Sequence, residues 1–365
     1  IFVMNDEARI KERWFGKTIM NSDHRFTYET AQAVIDGKTE PGHEHREVLT
    51  TLNKIAKVLQ KDKFLEGAIE FEQDEIKFKL DEKGRPIGVY VKERLDTHKL
   101  VEEFMLLANR EVAKFIFDSI KKKGTRDTGS IYRIHDTPDK EKIAELKSFV
   151  EALGYELPGK AGDVAAKDIN HLLDQIEGTP HESLIRTATI RSMQKAIYST
   201  RNIGHFGLAF DFYTHFTSPI RRYPDLLVHR ILMKHLHNEP FRDTEVNTFQ
   251  KIADASTQRE IDAADAERSS KKLKQVEYMS TKIGKTFQGM ISGVSKWGIY
   301  AEEMESRSEG MISFDNLGKD YWVFDRKNYS IVGERTKKKY TLGDKIRFKV
   351  VAADLDKKML DYAVV

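Results

Sequence analysis

The chain contains no cysteine, which excludes disulfides and thiolate chemistry and fits a reducing cytosol. No run of eighteen apolar residues occurs in its 365 positions, so a membrane-spanning helix is not expected. There is no secretory signal, internal repeat or low-complexity tract. A glycine-rich nucleotide loop and zinc-ligand spacing are both missing, which leaves little room for an unrelated metabolic enzyme. Charge of one sign is also scarce overall, at +3 net. It is unevenly spread: residues 281–365 hold 16 Lys and Arg against 12 Asp and Glu, and residues 1–280 hold 45 against 46. The basic excess at the end suits a polyanion partner or ordinary solubility. The chain opens on Ile1-Phe2-Val3-Met4 and reads as cut from something longer.

The length exceeds one ordinary core, so two domains are expected. A short strand is expected at Arg25–Tyr28 after the turn Asn21–Asp23, with helical character at Ala31–Ile35. Apolar spacing predicts helices over 44–61, 97–120, 138–153, 165–176 and 183–198. Pro224 opens another to about His237, and residues 245–280 form a long charged one. Residues 68–80 and 87–91 read as a hairpin about the turn Asp81–Pro86. From about Thr281 the pattern changes to five short strands, near 285–294, 298–302, 310–313, 345–352 and 358–364. Five strands in that span predict an OB-type barrel. The fold class is therefore α+β: a mixed domain over 1–280, then an all-β barrel over 281–365.

The densest chemistry lies in Gly204–Ala209 and in Thr217-Ser218-Pro219-Ile220-Arg221-Arg222-Tyr223-Pro224-Asp225. Hydroxyls and amides beside a helix start suit a phosphate, and an arginine fork adds bidentate binding. The competing reading is that the arginines serve Asp225. On the helical wheel of 97–120, Glu102 and Asn109 share a narrow stripe. Met105 and Ile116 flank it on one side, and Leu106, Ala113 and Phe117 on the other. A carboxylate there needs partners, which favours a role for Glu102. Glu103, Arg110 and Lys114 form a stripe expected to face solvent. His135 and His205 read as buried structural histidines. Asp262, Asp265 and Glu267 sit among Arg259, Arg268, Lys271 and Lys272 and read as a salt-bridged face.

The run from Arg191-Ser192-Met193 through His205-Phe206-Gly207-Leu208-Ala209, Tyr213 and Thr217–Leu226 to His229-Arg230 closely resembles the catalytic domain of the RNB family, the ribonuclease II and ribonuclease R type. Met20-Asn21-Ser22, Arg25–Tyr28, His98–Glu103, Ala108-Asn109 and Arg133–Asp136 extend the likeness over the whole chain. Gly289–Tyr300, Gly310–Ile312 and Leu342–Ile346 resemble the OB module that ends ribonuclease R.

The resemblance implies a monomeric, cytoplasmic exoribonuclease. It would thread single-stranded RNA to a buried Mg²⁺ site and remove nucleoside 5′-monophosphates processively from the 3′ end. It implies that Arg221 contacts phosphate near the scissile bond, with Arg222, Thr217 and Ser218 beside it. Tyr28 would adjoin the terminal nucleotides, Glu102 help select the ribose, and Phe71 sandwich the terminal base. On the barrel, Phe287, Trp297 and Tyr300 are candidates to stack bases, with Lys296 on the backbone. Ser313 stands where many such modules carry a histidine. Lys337-Lys338-Lys339 reads as a phosphate contact or a solvated loop. The family's Mg²⁺-binding aspartates belong to a motif before the region where this chain starts, so no metal ligand is assigned. The chain is expected to be inactive alone. The alternative is a non-catalytic RNA-binding fragment or degenerate paralogue.

Overall fold

The computed structural model describes residues 1–70, 75–122, 129–159, 164–326 and 328–365. Two strands, β1 (Phe2–Met4) and β2 (Ile10–Arg13), form an antiparallel pair that sequence spacing did not reveal. Each is too short for a period of two to register. No strand forms at Arg25–Tyr28 among the described residues; Thr27 is extended and Tyr28 instead opens α1 (Tyr28–Ile35). The cause is local: the Thr27 side chain accepts the Thr30 N–H while the Thr30 hydroxyl oxygen accepts the Thr27 N–H, a reciprocal cap.

Helix α2 (Arg46–Leu65) follows, then a hairpin of β3 (Glu75–Leu80) and β4 (Pro86–Lys92). The long α3 (Asp96–Lys122) runs beneath the site. Strand β5 (Tyr132–Ile134) precedes α4 (Lys140–Ala152), α5 (Ala166–Ile176) and α6 (Glu182–Ser192). The last helix stops six residues before its expected end, because residues 197–199 form β6 (Ile197–Ser199) against β5. Helices α7 (Tyr223–Leu236) and α8 (Asp243–Ser280) complete this part.

Three packed cores explain the arrangement. On α5, Ile169, Leu172, Leu173 and Ile176 recur at helical spacing and bury against Ile143, Leu146 and Val150 of α4 and Ile185 of α6. On α3, Val112, Ile116 and Ile120 meet Leu227, Val228, Ile231 and Leu232 of α7 and Phe249 and Ala253 of α8. The far end of α8 supplies Val276 and Met279 to a third core, inside the barrel. At about 1.5 Å per residue, the 38 residues of α8 span about 57 Å. Its middle is solvated, with Arg259 paired to Asp262 and Arg268 to Asp265, as the sequence suggested.

The barrel consists of β7 (Thr286–Ser295), β8 (Gly298–Glu303), β9 (Glu309–Ser313), β13 (Lys345–Asp354) and β14 (Met359–Val364). It closes in the order β13-β14-β9-β8-β7, with β14 parallel to β9 and the other pairs antiparallel. Alternation drives it: Ile346, Phe348 and Val350 point inward, and Lys345, Arg347 and Lys349 outward. Between β9 and β13 the chain inserts a short helix, α9 (Phe314–Leu317), and a three-stranded sheet of β10 (Trp322–Asp325), β11 (Ser330–Gly333) and β12 (Lys339–Thr341). The lysine run at 337–339 leads into β12, where Lys338 lies over the Tyr340 ring. No helix among the described residues is long and apolar enough to cross a membrane.

Candidate active site

Helix α3 is the spine. At its start the Thr97 hydroxyl donates to the Tyr28 carbonyl (2.9 Å), and the Thr97 N–H donates to Gln32 Oε1 (3.2 Å). These bonds set Tyr28 over α3, where its ring stacks on His98 at 4.0 Å and 17°. Tyr28 remains 44% exposed, so its other face is open. Glu102 lies one turn beyond His98, on the same side of the helix. Its carboxylate pairs with Arg94 and is 43% exposed.

The two adjacent glutamates reverse the expected roles. Glu103, expected in solvent, is buried and bonded to the buried Lys63 of α2. Burial raises the Glu103 pKa, and the Lys63 ammonium opposes the rise. Glu102, expected among apolar neighbours, is half-exposed. The physical reason is that α3 is covered on two sides, by α2 and by the aromatic segment 205–216, so one wheel stripe does not mark its outside.

Farther along α3, Asn109 donates from Nδ2 to the Tyr213 hydroxyl (3.2 Å) and accepts at Oδ1 from the Phe216 N–H (3.0 Å). Leu106 packs with Phe210 and Tyr213. This clamp fixes the segment that runs straight into Thr217–Arg221. His229 holds it from α7, with Nε2 donating to the Phe216 carbonyl (2.9 Å) and its ring stacked on Phe216. The neighbouring histidines are structural, as the sequence suggested. His135 Nδ1 accepts the Gly207 N–H and Nε2 donates to the Gln194 carbonyl, both at 2.9 Å, and burial lowers its pKa. Burial pushes His205 down to about 3 and His215 to about 2.

The two arginines have separate duties. Asp225, fully buried in the first turn of α7, accepts from Arg222 Nε and Nη2 and from the Ser218 N–H, each at 2.8 Å. Arg222, expected to join Arg221 on RNA, therefore has its fork committed to Asp225. Two of its five N–H donors are engaged there, through Nε and Nη2, which ties Arg222 to the loop. Arg221 is exposed, and its guanidinium has no hydrogen bond or ion pair among the described residues. Ser218 Oγ likewise makes no hydrogen bond there, and Thr217 Oγ1 is buried without a partner. Phe71 lies outside the described residues.

A cavity of about 1410 Å³ opens between the hairpin, α5, α6, α8 and the barrel. Arg94, the partner of Glu102, is in its wall, as are Lys92, Lys271 and Lys345. On the barrel, Trp297 projects 64% exposed from the β7–β8 turn with Lys296 over its ring at 4.8 Å. Tyr300 is partly exposed on β8. Phe287 is also partly exposed and packs against the barrel core beside Phe348.

A hard divalent cation such as Mg²⁺ needs several oxygen ligands. Among the described residues the only group of three or more metal-ligating side chains contains two histidines, His24 and His45, with Glu44. Asp225 is already saturated by Arg222 and Ser218. The described residues therefore do not fit Mg²⁺ beside Arg221.

This fold and site are those of an RNB-type domain. The RNB domain model matches residues 1–238, and the chain belongs to that family. It is 32% identical over 369 residues to the ribonuclease R of Aquifex aeolicus, covering 100% of this chain and 51% of that protein. It superposes on Mycoplasma genitalium RNase R in complex with ribose-methylated single-stranded RNA with a TM-score of 0.90 and 26% identity, over 100% of this chain and 57% of that one. Yeast Ssd1, a pseudonuclease, shares the fold at a TM-score of 0.61 and 18% identity, over 90% of this chain and 40% of that one. The chain spans about half the length of the curated relatives it matches.

Proposed function

We propose that this chain carries the RNA-gripping side of a hydrolytic exoribonuclease that degrades single-stranded RNA processively from its 3′ end. The observation that carries this reading is Arg221, which has no partner among the described residues, held beside an Arg222 bound to Asp225 on a segment anchored to α3. In hydrolysis, water adds to phosphorus and the 3′ oxygen leaves, releasing a nucleoside 5′-monophosphate. Negative charge builds on the non-bridging oxygens, and the Arg221 guanidinium offsets it. Tyr28, backed by His98, offers its open face to a terminal base. Glu102 accepts a hydrogen bond from the 2′-hydroxyl, the group that separates RNA from DNA. The wide cavity is the route of the strand, and Lys296, Trp297 and Tyr300 form an outer contact on the barrel. Residues 1–280 act as the RNB part and residues 281–365 as an RNA-binding module, in a cytoplasmic monomer. The relative captured on single-stranded RNA supports the substrate class.

Mg²⁺ is the metal of this reading, and the described residues do not supply its ligands. On this reading the metal-binding carboxylates lie in a part of the protein outside this chain, and the 365-residue chain alone should not hydrolyse RNA. The second reading, a non-catalytic RNA binder, draws on the want of such carboxylates among the described residues and on the likeness to a pseudonuclease fold. Labelled RNA with a free 3′ end distinguishes them. The full-length protein containing this chain should yield a ladder of mononucleotide steps with Mg²⁺. Tight binding without product supports the binder. In that full-length protein, Glu102→Ala should relax discrimination against a DNA strand, and unchanged discrimination would remove Glu102 from ribose selection.

A further inference from the structure

We propose that His24, Glu44 and His45 form a binding site for a divalent transition metal of the zinc class. One ligand atom from each of these residues lies within 4.8 Å of the others. The donors come from two separate segments. His24 sits on the extended stretch before α1, and Glu44 and His45 occupy a single 3-10 turn, His43–His45, that leads into α2. Their meeting depends on Gly42, which has φ +89°; a Cβ there would fall 2.6 Å from the Phe26 ring and 2.7 Å from His24 Nε2. Phe26 supports both imidazoles, with its ring 4.2 Å from His24 and edge-on to His45 at 6.1 Å. The two imidazole rings lie 5.6 Å apart.

His24 has no hydrogen-bond partner among the described residues. Glu44 approaches His45 Nε2 at 3.6 Å and His43 Nδ1 at 3.8 Å, both beyond hydrogen-bond length. Two imidazoles with one carboxylate suit zinc and its neighbours in the transition series, and not Mg²⁺ or Ca²⁺, which take oxygen ligands. Tetrahedral zinc at about 2.1 Å from each donor would draw the ligands to about 3.4 Å apart. These side chains are partly exposed and reach that by small rotations. The fourth position is open to water or to His43. A bound ion would tie the stretch before α1 to the start of α2, four residues ahead of Tyr28. Nineteen residues separate His24 from Glu44, which matches no zinc spacing, so a motif reading passes over the site.

Calorimetric titration of the EDTA-stripped 365-residue chain with zinc chloride tests the site. One equivalent per chain should bind with about micromolar affinity or tighter, and zinc should raise the melting temperature. His24→Ala and His45→Ala should each weaken binding by at least about tenfold, and Glu44→Gln should do so without changing the fold. Excess Mg²⁺ should not compete. Absence of saturable binding overturns the proposal. So does weak binding spread over the chain's 12 histidines and unchanged by the three substitutions. Circular dichroism monitors folding, and Glu44→Gln alone decides if a histidine variant fails to fold.

Discussion

Two adjacent arginines should give opposite phenotypes. Arg222→Ala removes two of the three hydrogen bonds to Asp225 and leaves a fully buried carboxylate facing only the Ser218 N–H. Breaking a buried ion pair from one side costs about 3–5 kcal/mol. At about 2–4 °C per kcal/mol for a domain of this size, the melting temperature should fall by roughly 6–20 °C. Arg222→Lys should not rescue it, because an ammonium cannot reproduce the bidentate fork. Arg221→Ala touches no folded partner, so its stability change should stay within about 0.5 kcal/mol. Its effect should fall on RNA. Loss of a charge-assisted phosphate contact, about 1.5–3 kcal/mol, weakens binding roughly 10- to 150-fold. Differential scanning fluorimetry and anisotropy of labelled single-stranded RNA at one fixed salt concentration read the two effects separately. Equal melting losses in the two variants would refute the division of labour. So would an Arg221→Ala chain that binds RNA like the parent.

The buried histidines set an acid limit. His205 and His215 have folded pKa values of about 3 and 2 against 6.5 for an ordinary histidine, so between these values the unfolded chain binds the protons. Stability should therefore be full above about pH 6.5 and fall with acidification, by up to about 1.4 kcal/mol per pH unit for each histidine. Urea unfolding at neutral and mildly acidic pH measures it, and a chain as stable in acid would contradict the burial argument. Lys63→Ala should cost about 3–5 kcal/mol at neutral pH by stranding Glu103. Adding Glu103→Leu should recover much of that loss, and a double variant no better than the single would show that the pair is not coupled.

What the sequence made legible follows from how local each signal is. The barrel strands were readable because Ile346, Phe348 and Val350 alternate with Lys345, Arg347 and Lys349 within one element. Asp225 was weighed as an arginine partner because it stands three residues from Arg222. The exchange of Glu102 and Glu103 was not readable, because the deciding partner, Lys63, is forty positions away on α2. The three-stranded insertion escaped notice because β10, β11 and β12 have three or four residues each. His98 as the support for Tyr28 was missed for the same reason as Lys63: the contact joins α1 to α3 across seventy positions.

Fold alone does not separate a nuclease from a pseudonuclease, since both share this one. The separation has to come from which groups are left free. Asp225 decides that for the arginines, because by binding Arg222 and the Ser218 amide together it fixes the loop and leaves Arg221 as the exposed cation. Helix α3 then sets the scale. Glu102 and Asn109 are seven residues apart, about 10 Å along the axis, against about 3.4 Å per stacked nucleotide. Tyr28 and Glu102 at one end, and the Asn109 anchor of the segment that leads to Arg221 at the other, are thus joined by one helix, so the proposed RNA contacts share a single rigid support.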